Sequence, residues 1–335
     1  MVESFPIKLD KQDKAIMHEL ERNSRASFDS IGKAVKLSGE TVEYRIRRLK
    51  RLGVINRMFA EPNLQKLGLK TYRLYLKTEN MGKAASEALL SFISTNPKAQ
   101  WYAEFEGEWD YSIRYTVENE CQFKREMDQI IGRFGEFIKS KDVVITSHQT
   151  YLPITYLTGK ERNARSVQLD VDEKIEELDE TDQRILAHLF EDARMKTVDI
   201  ATKIRISPDA VMYRIRKMVE KGIIAFFTAW FDRRKLGYEY YKVLLWLQFM
   251  TKEDEERLIQ YCEQHPNIVY INRVLGNWDL EVDFDARNSQ EIHDIIKDLK
   301  NKFSGMIRNH STLTILRDGV VNPFGSAIRE NKQNK

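Results

Sequence analysis

The sequence matches itself at an offset of 169 residues, and nothing else in it constrains the fold as tightly. Leu9-Asp10 and Asp13 meet Leu178-Asp179 and Asp182, and Val42, Tyr44, Arg45, Ile46 and Arg47 meet Val211, Tyr213, Arg214, Ile215 and Arg216. From Leu9 to Ile55, 15 of 47 positions are identical without a gap. The register then persists: Gly68 meets Gly237, Pro97 meets Pro266, Gly107-Glu108-Trp109-Asp110 meets Gly276-Asn277-Trp278-Asp279, and Phe134 meets Phe303. A chain of 335 residues is too long for one ordinary core, and the repeat says how it divides. Residues 153–174, polar and charged with Gly159, match nothing in either copy and read as a linker.

Each copy has two parts. In the first, apolar residues recur at helical spacing in three short segments, Ile16, Met17 and Leu20, then Ile31, Ala34 and Val35, then Val42, Ile46 and Leu49. Ser38 and Ser207 stand where the third helix needs an N-cap, the latter followed by Pro208, which suits a first helical turn. Gly53 and Gly222 close these helices, and the Val-Ile and Ile-Ile runs after them suit a short strand or wing. In the second part, Tyr72, Leu74 and Leu76 alternate as a strand, 84–96 reads as helix, 99–105 and 111–117 as strands about a Gly107 turn, 120–134 as helix and 143–147 as strand. Copy two repeats this order over 240–249, 252–264, 268–275, 280–284, 289–303 and 312–316. The order βαββαβ is the ferredoxin-like pattern. The expected class is α+β: a winged helix-turn-helix over 1–60, a ferredoxin-like domain over 61–152, the linker, a second winged helix-turn-helix over 175–231, a second ferredoxin-like domain over 232–321, and a tail over 322–335.

On the third helix of copy one, the apolar stripe leaves Thr41, Tyr44, Arg47, Arg48 and Arg51 on the opposite face, with Arg45 at its edge. A basic face of this kind after a short helix-helix turn is the geometry that enters a DNA major groove. Charge separates the copies. Residues 1–60 hold 13 Lys and Arg against 8 Asp and Glu, whereas residues 175–231 hold 9 against 10. Phosphate attraction therefore favours the first unit. In the second, Tyr213, Arg214, Arg216 and Lys217 keep part of the face, but Glu220 replaces Arg51, and the wing is apolar where the first has Asn56 and Arg57.

The run LDxxDxxI, then Arg25 or Arg194, then SxxxVxYRI and GVI or GII, joined to a βαββαβ unit with a GxWD turn, resembles the Lrp/AsnC transcription regulators. The resemblance covers both halves. It implies double-stranded DNA as partner, self-association through the sensing domains, and an amino-acid effector bound near the turn residues, here Gly107, Trp109 and Asp110 or Gly276, Trp278 and Asp279. Two departures stand out. Family members usually carry one copy per chain, so fusion makes this chain a covalent pseudo-dimer, and the bulky Trp109 and Trp278 are able to fill an effector pocket. Read from the residues alone, each glycine serves a tight turn through positive φ, and each Asp caps turn amides or holds an amino group.

Other classes are weighed on the same residues. Cys121 and Cys262 are too few and too far apart for a disulfide framework, which fits a reducing, cytoplasmic setting. The N-terminal segment has no apolar core, and the densest apolar run, 240–250, is interrupted by Lys242 and Gln248, so no membrane span is expected. The six histidines show no metal-ligand spacing, no nucleotide or nucleophile motif is present, and no cofactor or catalytic residue is expected. The sirohaem decarboxylases share this architecture and form the enzymatic alternative; His148 is the one histidine in a comparable strand, and its repeat mate is Arg317. A small-molecule or assembly module without DNA function is the third reading, against which the basic first unit argues.

Overall fold

The computed structural model describes residues 6–159, 175–248 and 251–329. Copy one runs α1 (Lys11–Arg22), α2 (Phe28–Val35), α3 (Gly39–Arg51), β1 (Ile55–Pro62), β2 (Lys70–Thr78), α4 (Lys83–Ser94), β3 (Ala99–Glu106), β4 (Tyr111–Val117), α5 (Glu120–Phe134) and β5 (Ile138–Tyr151). Copy two runs α6 (Glu180–Glu191), α7 (Thr197–Ile204), α8 (Pro208–Glu220), β6 (Ile224–Phe231), β7 (Glu239–Leu247), α9 (Lys252–Gln264), β8 (Ile268–Leu275), β9 (Leu280–Ala286), α10 (Ser289–Lys302) and β10 (Ile307–Val320), with a short α11 (Gly325–Arg329) behind it. The class is α+β.

Local signals account for the helical units. Asp10 and Asp13 form a reciprocal capping box on α1, and Ser38 and Ser207 accept from the amides of Thr41 and Ala210 to cap α3 and α8. Ile16, Met17, Leu20, Ile31, Val42, Ile46 and Leu49 are buried as their spacing requires. Ala34 is not, being exposed. The packed small residue is Gly32, where a Cβ would come within 2.5 Å of the Leu37 carbonyl oxygen. Gly53 and Gly222 end the third helices at φ +66° and +70°.

The strands after these helices do not fold back as wings on their own units. Instead β1 pairs antiparallel with β6, Met58 opposite Ala229 and Ala60 opposite Phe227. The partners cross over: α1 packs on β6, and α6 packs on β1. Two arginines clasp the exchange. Arg25 donates to the carbonyls of Ala193 and Met195, and Arg194 donates to those of Ser24 and Ala26 at 2.8 and 2.9 Å. A two-stranded ribbon lacking a third strand needs cover on both faces; the exchanged helices supply it on one, and the other lies over the barrel.

The eight remaining strands close into one barrel in the order β10-β3-β4-β2-β5-β8-β9-β7. Each copy contributes the ferredoxin-like order, and the copies join edge to edge through β5 with β8 and β10 with β3. This explains why the last strands are 14 residues long where the local pattern predicted five: their second halves pair with the other copy. Closure leaves no free edge. Helices α4 and α5 cover the outer face of copy one over Tyr72, Leu74 and Leu76, and α9 and α10 cover that of copy two over Leu280, Val282 and Phe284.

Strand alternation then points the other residues inward, and many are charged. Lys242, fully buried, donates to Asp283 at 2.5 Å and lies 3.4 Å from Glu281. Arg73 lies 3.2 Å from Glu281, which also accepts from Tyr75 at 2.7 Å. Burial pushes the Glu281 carboxyl up, but Arg73 and Lys242 outweigh it and hold it below its ordinary range. The chain after β5 is packed, not a free linker: Leu152 and Ile154 are buried, and Tyr156 donates to Asp285 at 2.6 Å. The rest of the expected linker, 160–174, lies outside the described residues. The expected tail also begins as packed chain, since Asn322 donates to the Ala187 carbonyl at 3.0 Å and Phe324 is buried in the second helical core; residues 330–335 lie outside the described residues.

Removing the cation from this network leaves Asp283 in the barrel with the Tyr240 hydroxyl, at 2.7 Å, and no counter-charge of its own. Lys242→Met is expected to cost about 3–5 kcal/mol of unfolding free energy, read by urea denaturation. A loss below about 1 kcal/mol would show that the Lys242 pair contributes little to stability.

Candidate nucleic-acid interface and effector turns

On α3, the side chains of the expected DNA-facing stripe fall into two groups. Tyr44 is 65% exposed and Arg47 and Arg51 project into solvent, Arg47 holding only an exposed pair with Glu43 at 2.6 Å. Thr41 shares a hydrogen bond with the cap residue Ser38 at 2.8 Å. Arg45 does not project outward. Its guanidinium donates to Asp10, Gln12 and Asp13, each at 2.8 Å, and Arg48 reaches Asp13 at 3.0 Å. The carboxylates that cap α1 thus draw in the two arginines facing them and neutralise charge that a phosphate would otherwise meet. Arg214 on α8 is held in the same way by Asp179 and Asp182, at 2.6 and 2.8 Å. Tyr213, Arg216 and Lys217 stay exposed. Arg57, counted with the first wing, stacks on Phe190 of α6 and pairs with Glu191 at 3.4 Å, so it braces the ribbon.

The GxWD turns sit at the junctions between the copies. Gly107 has φ +143°, and a Cβ there would lie 2.9 Å from Leu313 on β10. Gly276 is required for a different reason than positive φ: a Cβ would meet Val144 of β5 at 2.5 Å. The aspartates are engaged in the hairpins. Asp110 accepts from the Thr78 amide at 2.6 Å and from Lys77 at 2.8 Å, and Asp279 accepts from the Leu247 amide at 2.7 Å. Both tryptophans are buried in the barrel with ring centroids 6.4 Å apart, and Tyr75 stands edge-on to Trp278 at 4.9 Å. The indoles therefore occupy the space beside the turns. Sequence patterning missed the inward acids of β9, because LEVDFDA reads equally well as a strand with a solvated face.

Beneath the ribbon, Glu21 at the end of α1 accepts from the Tyr151 hydroxyl at 2.5 Å and the Ile154 amide at 2.8 Å, tying the first helical unit to the barrel. Burial pushes its carboxyl up to about 7, although both hydrogen bonds pull the other way.

Two helical triads with outward-facing third helices on one closed αβ body define a paired helix-turn-helix protein. Residues 9–50 match the AsnC-type helix-turn-helix domain, and residues 178–225 match a winged helix-turn-helix DNA-binding model. The chain is 31% identical over 122 residues to the transcriptional regulator AzlB of Bacillus subtilis, covering 36% of this chain and 78% of that protein. It is 27% identical over 146 residues to the regulatory protein AsnC of Haemophilus influenzae, covering 43% of this chain and 95% of AsnC. The chain belongs to the Lrp/AsnC family of transcriptional regulators. Over its whole length the fold is similar to that of the siroheme decarboxylase NirDL in co-complex with an iron-uroporphyrin III analogue, with TM-score 0.66 and 12% identity, covering 97% of this chain and 98% of that one. No helix of the described residues is long and apolar enough to cross a membrane.

Glu21 gives a pH test. Below about pH 4.5 it is protonated in both folded and unfolded chains; between about 4.5 and 7 only the unfolded chain ionises, so folding loses free energy until the loss levels off above 7. Glu21→Gln removes that loss. The variant is expected to gain on the native protein between pH 5 and pH 8 by up to about 3 kcal/mol in urea unfolding, and a gap that stays constant with pH would show that Glu21 is ionised in the folded chain.

Proposed function

We propose that this protein is a transcription regulator whose affinity for double-stranded DNA resides mainly in the first helical unit. The observation that carries this reading is the contrast between the exposed faces of α3 and α8. Tyr44, Arg47 and Arg51 project from a unit with net charge +5, whereas α8 presents Tyr213, Arg216, Lys217 and Glu220 from a unit with net charge −1. The ribbon and the arginine clasps hold the two units in one arrangement, so α8 is presented alongside α3 and contributes a weaker second contact. Arg45, Arg48 and Arg214 act by fixing the third helices on their first helices, and substitution there acts on DNA only through the fold.

An amino-acid effector at the turns fits the packing poorly, because both aspartates are engaged and both indoles lie in the barrel. We read Trp109 and Trp278 as occluding that space. Calorimetry with the twenty amino acids is expected to show no heat at the turns of the native protein, and heat with Trp109→Ala or Trp278→Ala; loss of binding on either substitution would show that the indoles line a working site.

The fold shared with NirDL supports an enzymatic second reading, taking sirohaem as substrate. His148 lies on β5, and its repeat mate Arg317 is engaged by Glu104 and Glu87, leaving the two positions chemically unlike. Absorbance on addition of sirohaem, unchanged under the regulator reading, separates the two.

For DNA, Arg47→Ala with Arg51→Ala is expected to weaken binding by about 1–3 kcal/mol for each base edge these arginines grip, or to lower the salt slope by about 1 for each phosphate they neutralise. Arg216→Ala with Lys217→Ala is expected to cost less. Gel-shift titrations at two salt concentrations read both, and equal losses would overturn the assignment of affinity to the first unit.

A further inference from the structure

A cavity of about 100 Å³ lies between the β1–β6 ribbon and the barrel, with room for several waters or one small organic molecule. Its lining includes Phe59 and Glu61 from β1, Ala225 and Phe226 from β6, and Trp101 and Arg114 from the barrel. Most of the charged groups that reach it are already satisfied. Arg73 is paired with Glu281 at 3.2 Å, Arg233 with Asp285 at 2.5 Å, and Asp283 with Lys242 at 2.5 Å. Glu21 accepts from Tyr151 and Ile154, and Asp318 accepts from Trp101 at 3.3 Å.

Arg114 and Glu61 are the exceptions. The Arg114 Nη1 donates to the Gln149 amide oxygen at 3.2 Å, its Nε is buried without an acceptor, and among the described residues no carboxylate forms an ion pair with it. The open Nε–Nη2 edge of a guanidinium is a two-donor fork that matches one carboxylate. A cation held away from water without a counter-charge is costly, which makes an anionic occupant favourable. Glu61, on β1 in the same lining, lies beyond ion-pair reach of Arg114 and acts on it only through space; burial pushes its carboxyl up, with Arg114 and Arg57 opposing that. In the same lining, Tyr151 stacks with Phe226 and stands edge-on to Tyr270, both at 5.3 Å, giving the cavity an aromatic side.

We propose that this cavity is a binding site for a small aromatic carboxylate, with the carboxylate on the Nε–Nη2 edge of Arg114 and the ring against Tyr151, Phe226 and Tyr270. The repeat makes the site single. The position equivalent to Arg114 is Asp283, and that equivalent to Tyr151 is Val320, so a second copy of the site cannot form across the pseudo-symmetry. The proposal stands apart from the DNA assignment, because ligand binding is measured directly.

The test uses the full chain and sodium phenylacetate, followed by calorimetry and by the fluorescence of Trp101 and Trp230, both of which line the cavity. Saturable binding of one phenylacetate per chain is expected, with uncharged 2-phenylethanol weaker by about tenfold or more. Arg114→Met should abolish the preference for the acid, and Arg114→Lys should restore part of it. Ala225→Phe adds bulk to the ribbon side of the lining, away from the barrel strand that carries Arg114, and should weaken binding of both compounds. If Arg114→Met does not unfold cooperatively, Ala225→Phe decides alone. Absence of saturable phenylacetate binding to the native chain, or undiminished binding to a folded Ala225→Phe variant, would overturn the proposal.

Discussion

The pairing of unlike charges inside the barrel is the constraint on which the rest of this structure depends. Arg73 of copy one meets Glu281 of copy two, and the two copies are unlike where they face each other: Ser112, Arg114 and Thr116 on β4 stand at the repeat positions of Glu281, Asp283 and Asp285 on β9. Two sheets of the second kind would bring like carboxylates together in a dry interior, where repulsion and desolvation act in the same direction. Copy two sets Lys242 and Arg233 against its own Asp283 and Asp285, and copy one adds Arg73 for Glu281. Pairing one copy with the other is therefore favoured over pairing either with itself, and the covalent link keeps the favoured partner at hand.

Ordered closure of the barrel has a second effect on the helical units. The ribbon of β1 and β6 lies against the barrel, and Glu21, Tyr151 and Thr228 join α1, β5 and β6 by hydrogen bonds, the last through the Glu21 carbonyl at 3.0 Å. The hydrophobic core of the first helical unit runs without a break into the barrel interior, from Ile16 and Leu49 through Met58 to Trp101 and Trp278. The second unit has a core of its own around Ile185, Val211 and Phe324. The first unit is thus the one whose position is tied directly to the state of the barrel.

Much of this was legible in the sequence. The repeat, the caps at Ser38 and Ser207, and the order of helices and strands all rest on local chemistry, and the bounds of β4, α5, α9 and β8 fall where the periodicity puts them. Three features were not legible, each because a distant segment decides it. The wings became a shared ribbon because the partner of β1 lies in the other copy. Arg48 fell on the outward stripe of an isolated α3 and Arg45 at its edge, but Asp10 and Asp13, which cap the neighbouring helix, hold them. The acids of β9 alternate as a solvated face would, and only barrel closure turns that face inward.

The clasps by Arg25 and Arg194 end on main-chain oxygens of Ala193, Met195, Ser24 and Ala26. Carbonyl acceptors belong to the backbone, so the side chains of Ala26 and Met195 are not used by the joint, while Ser24 and Ala193 are held small by burial. The donors have no such latitude. In each clasp a single Nη1 at the end of the arginine side chain serves both carbonyls, so the whole joint rests on two side chains long enough to place one nitrogen between two turns.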